Sequence, residues 1–410
     1  MDKTKPKIYA ALPAMNEMEN MEAFLKCFFA QDYPNTELYV CVNQPDDWWE
    51  KEGKASICEN NLQTLDYLRS VTADNIHILD RCSRGNGWKG KDFGVGQARK
   101  TLMDGIAENA NDGDIIVSMD ADTHFNPNYF TSIAENFQKH PKAVALSVPY
   151  YHPLNDDTEA NKQILHYEIY MRYYALNLWR TGSPYSFTAI GSAMALPVWA
   201  YKAIGGITPH KSGEDFYFLQ KLRKYGNVLS WNREKVYPAA RFSDRVFFGT
   251  GPAMIKGNQG GWDSYPIYPF RLFDMLKAFF EFFPQLFEKD IETPLDEFIS
   301  GKFGNKNIWK PLRGNSKTKE QFVKACHQKF DALRTLQYLK WENSKNPRRD
   351  ENNLLEYLNY FCSGEISAFS FDVNSFDFMK SSIGELDEIR DMLVRIEEEV
   401  QINNQPSDQP

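Results

Sequence analysis

The chain has 410 residues, of which 42% are hydrophobic, so it is long enough to bury a full core with material left for a second, smaller region. A formal net charge of -8 and a pI near 5.5 give no general attraction to phosphate backbones or anionic lipid, which argues against nucleic acid as a partner. The six cysteines are scattered without a CxxC pair, no apolar leader precedes the first strand pattern, and the greasy stretch from Tyr268 to Phe287 is broken by charges and Pro284; reduced thiols, a cytoplasmic address and no transmembrane helix are expected.

In chain order, Lys7 to Leu12 reads as a short buried strand that Pro13 is expected to stop. Asn16 is placed to cap a helix whose Met21, Phe24, Leu25, Phe28 and Phe29 form one apolar face. Further strands are predicted at Leu38 to Val42, Ile76 to Leu79 and Asp114 to Met119, with a helix from Val95 to Ile106 between the last two. Strands alternating with helices imply a mostly parallel α/β sheet sandwiched by helices. Ligands of such sheets bind beyond the carboxyl ends of the strands, so the loops after Leu12, Val42, Leu79 and Met119 should line one crevice.

The strongest chemical signal is Ile115-Ile116-Val117-Ser118-Met119-Asp120-Ala121-Asp122, an apolar strand that delivers two carboxylates at its exit. Alternation along an extended chain points Asp120 and Asp122 the same way, toward a divalent cation or a ribose and diphosphate; a solvated Asp turn ahead of Asn126-Pro127 is the competing reading. In Ser212-Gly213-Glu214-Asp215 the acids open a helical pattern, where they serve either as partners of the helix dipole or, for Asp215, as a general base that takes a proton from a hydroxyl. Pro13, Asn16 and Glu17 follow the first strand where a nucleotide base could lie, and Asn43 exits the second; Trp48 and Trp49 offer stacking faces or part of the core.

Gly85-Asn86-Gly87-Trp88-Lys89-Gly90-Lys91-Asp92 nearly matches a phosphate-cradling loop, but Asp92 stands where that loop needs a metal-binding hydroxyl and would repel phosphate. Lys89, Lys91 and Arg99 remain as cations for a diphosphate at the start of the next helix. Arg241-Phe242-Ser243-Asp244-Arg245, followed by Gly249-Thr250-Gly251, reads either as a mobile basic loop closing over a ligand or as surface salt bridges.

Taken in order, Pro13-Ala14-Met15-Asn16-Glu17, Asp120-Ala121-Asp122 and Gly213-Glu214-Asp215 resemble the three signatures of family 2 glycosyltransferases, over roughly residues 7 to 250. The resemblance implies a GT-A fold, a nucleotide-diphosphate sugar donor, and Mg²⁺ or Mn²⁺. It implies Asp122 as a metal ligand, Asp120 at the ribose or metal, and Asn16 and Glu17 near the nucleoside; Pro13 and Asn43 are read beside them from their strand exits, and Lys91, Arg99 and Arg245 from their loops as donor-binding cations. Glu214 and Asp215 are its catalytic acids, with Asp215 the base of an inverting reaction, and the acceptor is a saccharide or a lipid-linked hydroxyl. Two departures stand out: Val42-Asn43-Gln44-Pro45 where many relatives carry an Asp-Asp-Gly-Ser type sequence, and Gln259-Gly260-Gly261-Trp262 in place of Gln-x-x-Arg-Trp, which argues against a processive synthase.

A catalytic domain is expected over 1–262, a helical accessory region over 263–402 and a disordered tail over 403–410. Leu386, Ile389, Leu393, Ile396 and Val400 follow a 3-4-3-4 spacing, which makes 383–400 either a helix docked on its own chain or a weak homodimer seam. A nucleotidyltransferase of similar fold would show glycine and a cation directly after the first strand, and this chain has neither there. A non-catalytic sugar-nucleotide-binding protein would have no use for intact acids at all three positions.

Overall fold

Seven strands form one sheet in the computed structural model, which describes residues 5–91, 93–210, 213–242 and 250–405. Their order is β3-β2-β1-β4-β7-β6-β8, built from β1 (Ile8–Ala14), β2 (Thr36–Asn43), β3 (Ile76–Arg81), β4 (Ile115–Ser118), β6 (Ala145–Ser147), β7 (Met194–Pro197) and β8 (Val228–Leu229). All neighbours run parallel except β7, which is antiparallel to β4 and β6. Two short strands, β5 (Thr123–Phe125) and β9 (Val236–Pro238), pair antiparallel outside that sheet. The mostly parallel α/β class expected from the sequence is present.

Helices lie between the strands in sequence: α1 (Met18–Phe29), α2 (Ala55–Ser70), α3 (Val95–Asn109), α4 (Tyr129–Lys139), α5 (Thr158–Arg180), α6 (Val198–Ala203) and α7 (Glu214–Tyr225), and α8 (Thr250–Asn258) follows β9. The α1 face is buried through Met21, Phe24, Leu25, Cys27 and Phe28, while Phe29 is half exposed. Phe24 stacks edge-on to Phe125 at 5.5 Å between ring centroids, and full burial of such a ring is worth about 1.5–3 kcal/mol.

Three local expectations are corrected. Pro13 does not end β1: it pairs in register with Cys41. Ala11 sends its carbonyl toward β4, to the amide of Met119, so Pro13, two residues on, faces a side where β4 has already finished. Its missing N–H therefore costs no ladder bond. Asn16 does not cap α1; Glu17 holds the cap position, and Asn16 adopts a left-handed φ of 58°. The glycine-bearing stretch after residue 249 is helical over Thr250–Asn258, because Ala253, Met254 and Gly257 give it a buried face.

The chain divides into two compact units. One holds the described residues up to Ile164, Phe187–Gly261 and those from Gln401; the other holds Leu165–Ser186 and Trp262–Val400. The second unit is helical, and its last helix, Ile383–Asn403, buries Leu386, Ile389, Met392, Leu393 and Val394, as a helix docked on its own chain requires. All six cysteines are buried and unpaired. No helix among the described residues is long and apolar enough to cross a membrane.

Candidate active site

The strand order reverses at β1: the chain passes from β1 to β2 and β3 on one side, then returns to β4 on the other. A crevice opens at such a point beyond the carboxyl ends, here between the β1 exit at Ala14–Glu17 and the β4 exit at Met119–Asp122. Past Ser118 the chain does not stay extended. The Thr123 amide donates to the Asp120 carbonyl at 3.1 Å, which closes a turn, so Asp120 and Asp122 are presented by a turn rather than by strand alternation. Each acid meets a different arginine.

Asp120 accepts from Arg99 Nη2 at 2.8 Å. Arg99, in the first turns of α3, is only 1% exposed; its Nη1 donates to Ser118 Oγ and to the Gly191 carbonyl, both at 3.0 Å, and its Nε lies 3.6 Å from Glu214 Oε1. Burial alone would drive the guanidinium toward neutrality, but Asp120, Glu214 and Asp215 together hold its pKa above the ordinary value. Arg99 is thus a counter-ion beneath the acids, with both Nη atoms engaged by protein groups.

Glu214 and Asp215 open α7 behind Gly213, whose left-handed φ of 68° turns the chain into the helix. Glu214 is buried. The Asp215 carboxyl accepts from the Phe216 amide at 2.8 Å and is pushed up to about 7, first by burial and then by the Glu214 carboxylate, with Arg99 opposing. The two acids stand in the first helical turn, as their spacing predicts.

Asp122 pairs with Arg241, whose Nε and Nη2 meet its Oδ2 at 2.7 and 2.6 Å. The same Nη2 contacts both oxygens of buried Glu17, at 2.7 and 3.0 Å. Burial raises the pKa of Asp122 and neighbouring Asp120 adds to it, while Arg241 pulls it down. Arg241 belongs to the basic cluster singled out in the sequence; Arg245 lies outside the described residues, as does Asp92.

The β1 and β2 exits are joined by a buried amide network. Asn43 donates to the Ala14 carbonyl at 3.0 Å and accepts from Trp88 Nε1 at 3.2 Å; Asn61 accepts from the Asn16 amide at 2.7 Å and donates to Gln44 Oε1 at 2.7 Å. Asn61 went unsingled in the sequence, since a polar residue in a helix pattern does not announce a buried partner. Past the β2 and β3 ends a cavity of about 470 Å³ is lined by Asp46, Trp49, Glu50, Arg84, Trp88 and Lys89. Trp49 is fixed there by its Nε1 bond to the Cys82 carbonyl and by the Arg84 guanidinium 4.8 Å above its ring. Lys91 is exposed.

Residues 115–255, a stretch that runs from β4 into α8, match the family model described as glycosyl transferase family group 2. This stretch belongs to a family 2 glycosyltransferase domain. The family 2 assignment makes the enzyme class glycosyl transfer, and it covers Asp120, Asp122, Glu214, Asp215 and Arg241. No curated protein matches the chain. Solved structures similar to it include S. aureus TarS 1–349 in complex with UDP-GlcNAc (15% identity, 98% of this chain and 93% of that one, TM-score 0.39). The mannosyltransferase PcManGT from Pyrobaculum calidifontis, in complex with GDP-Man and Mn²⁺, is 13% identical over 97% of this chain and 88% of its own, with a TM-score of 0.35. Glucosyl-3-phosphoglycerate synthase from Mycobacterium tuberculosis is 13% identical over 62% and 80%, with a TM-score of 0.34. Overlaps that loose carry no argument, and the assignment rests on the family model.

Proposed function

We propose that the chain transfers a sugar from a nucleotide-diphosphate sugar to an acceptor hydroxyl, with Asp120 and Asp122 facing the donor's metal and diphosphate and Asp215 acting as general base. The observation that carries this reading is the set of four acids drawn to the switch point by two different elements, the β4 exit and the start of α7, with Arg99 facing Asp120, Glu214 and Asp215 and Arg241 facing Asp122. Four carboxyls kept together beside a crevice cost stability, and a packed core would not retain them without a ligand to serve.

Among the described residues no group of three His, Cys, Asp or Glu side chains forms a cage for a metal. Two acids at the β4 exit do fit Mg²⁺ or Mn²⁺ in the form such ions take with nucleotides, where one or two carboxylates share the ion with water and phosphate oxygens. When bound there, the ion would neutralise charge on the departing diphosphate. The chain's own part is to orient and to move a proton. Asp215, in surroundings that raise its pKa to about 7, accepts the proton of the attacking hydroxyl, so that the anomeric configuration inverts. Asn43 and Asn61 hold the β1 and β2 exits in register for the nucleoside, and the cavity beside Trp49 and Trp88 is wide enough for a base or sugar ring. Six unpaired cysteines support a reducing, cytoplasmic setting.

The test is calorimetry with nucleotide-diphosphate sugars in the presence and absence of Mn²⁺. A Mn²⁺-dependent donor signal that disappears in Asp122→Ala, with the melting transition retained, is expected. Equal donor binding by Asp122→Ala with Mn²⁺ would remove the metal from this seat, and silence across all donors would turn the reading toward a scaffold.

A further inference from the structure

Arg241 sits where a cation would sit. One of its nitrogens, Nη2, touches Asp122 Oδ2 at 2.6 Å and both Glu17 oxygens at 2.7 and 3.0 Å, Nε touches Asp122 Oδ2 at 2.7 Å, and Nη1 faces Glu19 Oε1 at 3.5 Å. Three carboxylates from two elements, the start of α1 and the β4 exit, converge on one planar fork. The backbone that delivers the fork is fixed up to its own residue: β9 pairs with β5 through Pro238 and Thr123, the Ala239 amide donates to the Asp122 carbonyl at 3.1 Å, and Asn155 holds the Ala240 carbonyl at 2.9 Å. The side chain is a quarter exposed, and rotation about its own torsions is enough to clear Asp122 while the backbone stays.

A divalent ion needs carboxylate oxygen at roughly 2.0–2.6 Å, and the lone pairs of Asp122 Oδ2 that would supply it already receive two guanidinium N–H groups. Two positive centres on one carboxylate oxygen repel, so ion and guanidinium bind there in exchange. Resting on the metal seat proposed above, we infer that Arg241 is the resident counter-cation of Asp122 in the donor-free enzyme, and that Mg²⁺ or Mn²⁺ takes the seat only by displacing it. The exchange keeps the affinity for the bare ion low. A metal that arrives with a diphosphate brings oxygens of its own and overcomes the competition, so loading of the site is tied to the donor.

The experiment is a Mn²⁺ titration of the full chain without nucleotide, followed by electron paramagnetic resonance of free Mn²⁺, on wild type, Arg241→Gln, Arg241→Lys and the double variant Arg241→Gln with Asp122→Asn. Removal of a competing charge at this range should tighten Mn²⁺ about tenfold in Arg241→Gln. Arg241→Lys, with the charge but not the fork, should fall between, and the double variant should lose the gain. An Arg241→Gln protein that melts normally yet binds Mn²⁺ no more tightly than wild type overturns the exchange. Should that variant fail to fold, Arg241→Lys carries the same test, because one ammonium cannot supply both N–H groups that the fork places on Asp122 Oδ2 and Mn²⁺ must still bind more tightly than in wild type. Normal binding of Mn²⁺ with UDP or GDP but no gain without nucleotide sinks the exchange and leaves the metal seat standing. No Mn²⁺ binding by wild type or variant even with these nucleotides removes the seat itself.

Discussion

Asp215 is held where its charge is disfavoured, and both activity and stability should report it. A base must be deprotonated to act, so turnover should climb with pH and level off above about 7, the value to which burial and Glu214 raise this carboxyl. Asp215→Asn should bind donor and metal nearly as wild type and lose about 10²- to 10⁴-fold in kcat. The linkage runs opposite to that of a salt-bridged acid. The folded state keeps a proton that the unfolded chain gives up near 3.8, so the group's contribution is full below that value and lost as pH rises through about 7. The melting temperature of Asp215→Asn should therefore exceed that of wild type at alkaline pH, with the gap closing as pH falls toward 3.8; a gap that is constant with pH would show that the carboxyl is not penalised. Arg99→Met should cost about 3–5 kcal/mol in denaturant unfolding, since it strands Asp120 and Glu214 without their buried partner. The acids were legible in the sequence because a strand exit and a helix start carry recognisable patterns. The arginines were seen only as cations near a ligand, because no local pattern tells which carboxylate a long side chain will meet.

The elements that aim these residues depend on close approaches that periodicity cannot show. Gly191, three residues before β7, offers its carbonyl to Arg99 Nη1 and to Ser118 Oγ, at 3.0 and 2.7 Å. A methyl group on Gly191 would lie 2.7 and 2.8 Å from the two Nη atoms of Arg99, and that guanidinium is enclosed on all sides and cannot swing away. Gly191→Ala should destabilise by about 1–3 kcal/mol, the usual cost of overpacking, and should depress transfer as well because it shifts the counter-ion of Asp120. Urea unfolding and a donor-binding titration check the two halves; an unchanged midpoint with normal binding would mean that the loop yields. The same limit explains Pro13. A proline reads as a stop along one strand, and only the staggered ends of β1 and β4 reveal that its missing amide faces no neighbour. Strand existence and order of elements were readable because apolar runs and helical faces are local; where a strand ends against its neighbour is a property of the sheet.

At the scale of the whole molecule the second unit is not a C-terminal appendage in sequence, since it takes Leu165–Ser186 from the middle of the chain. That stretch is packed by residues from far downstream. Tyr173 donates to the Tyr268 carbonyl at 2.5 Å and meets the Tyr357 ring at 4.9 Å; Tyr167 and Tyr170 lie against Tyr265 at 5.1 and 5.5 Å; Arg172 is paired with Glu397 as well as Glu168. His166 is sandwiched between Trp262 and Phe378, and burial pushes it down to about 3, so it stays neutral. Spacing along the chain does not say which neighbours bury a stretch, and a boundary placed by composition at residue 262 leaves this one with the first unit. The consequence is testable by truncation after Gly261. Leu165, Ile169, Tyr173 and Leu176 would lose their cover, each worth about 1.5–3 kcal/mol, and Glu168 and Arg172 would lose Glu397 and Arg390. That sum is comparable with the 5–15 kcal/mol by which a domain is usually stable, so the truncated chain should be aggregated or melt without a cooperative transition. A soluble, monomeric 1–261 chain with a sharp melt would show instead that Leu165–Ser186 finds equivalent cover within the first unit, and that the downstream helices are dispensable for folding.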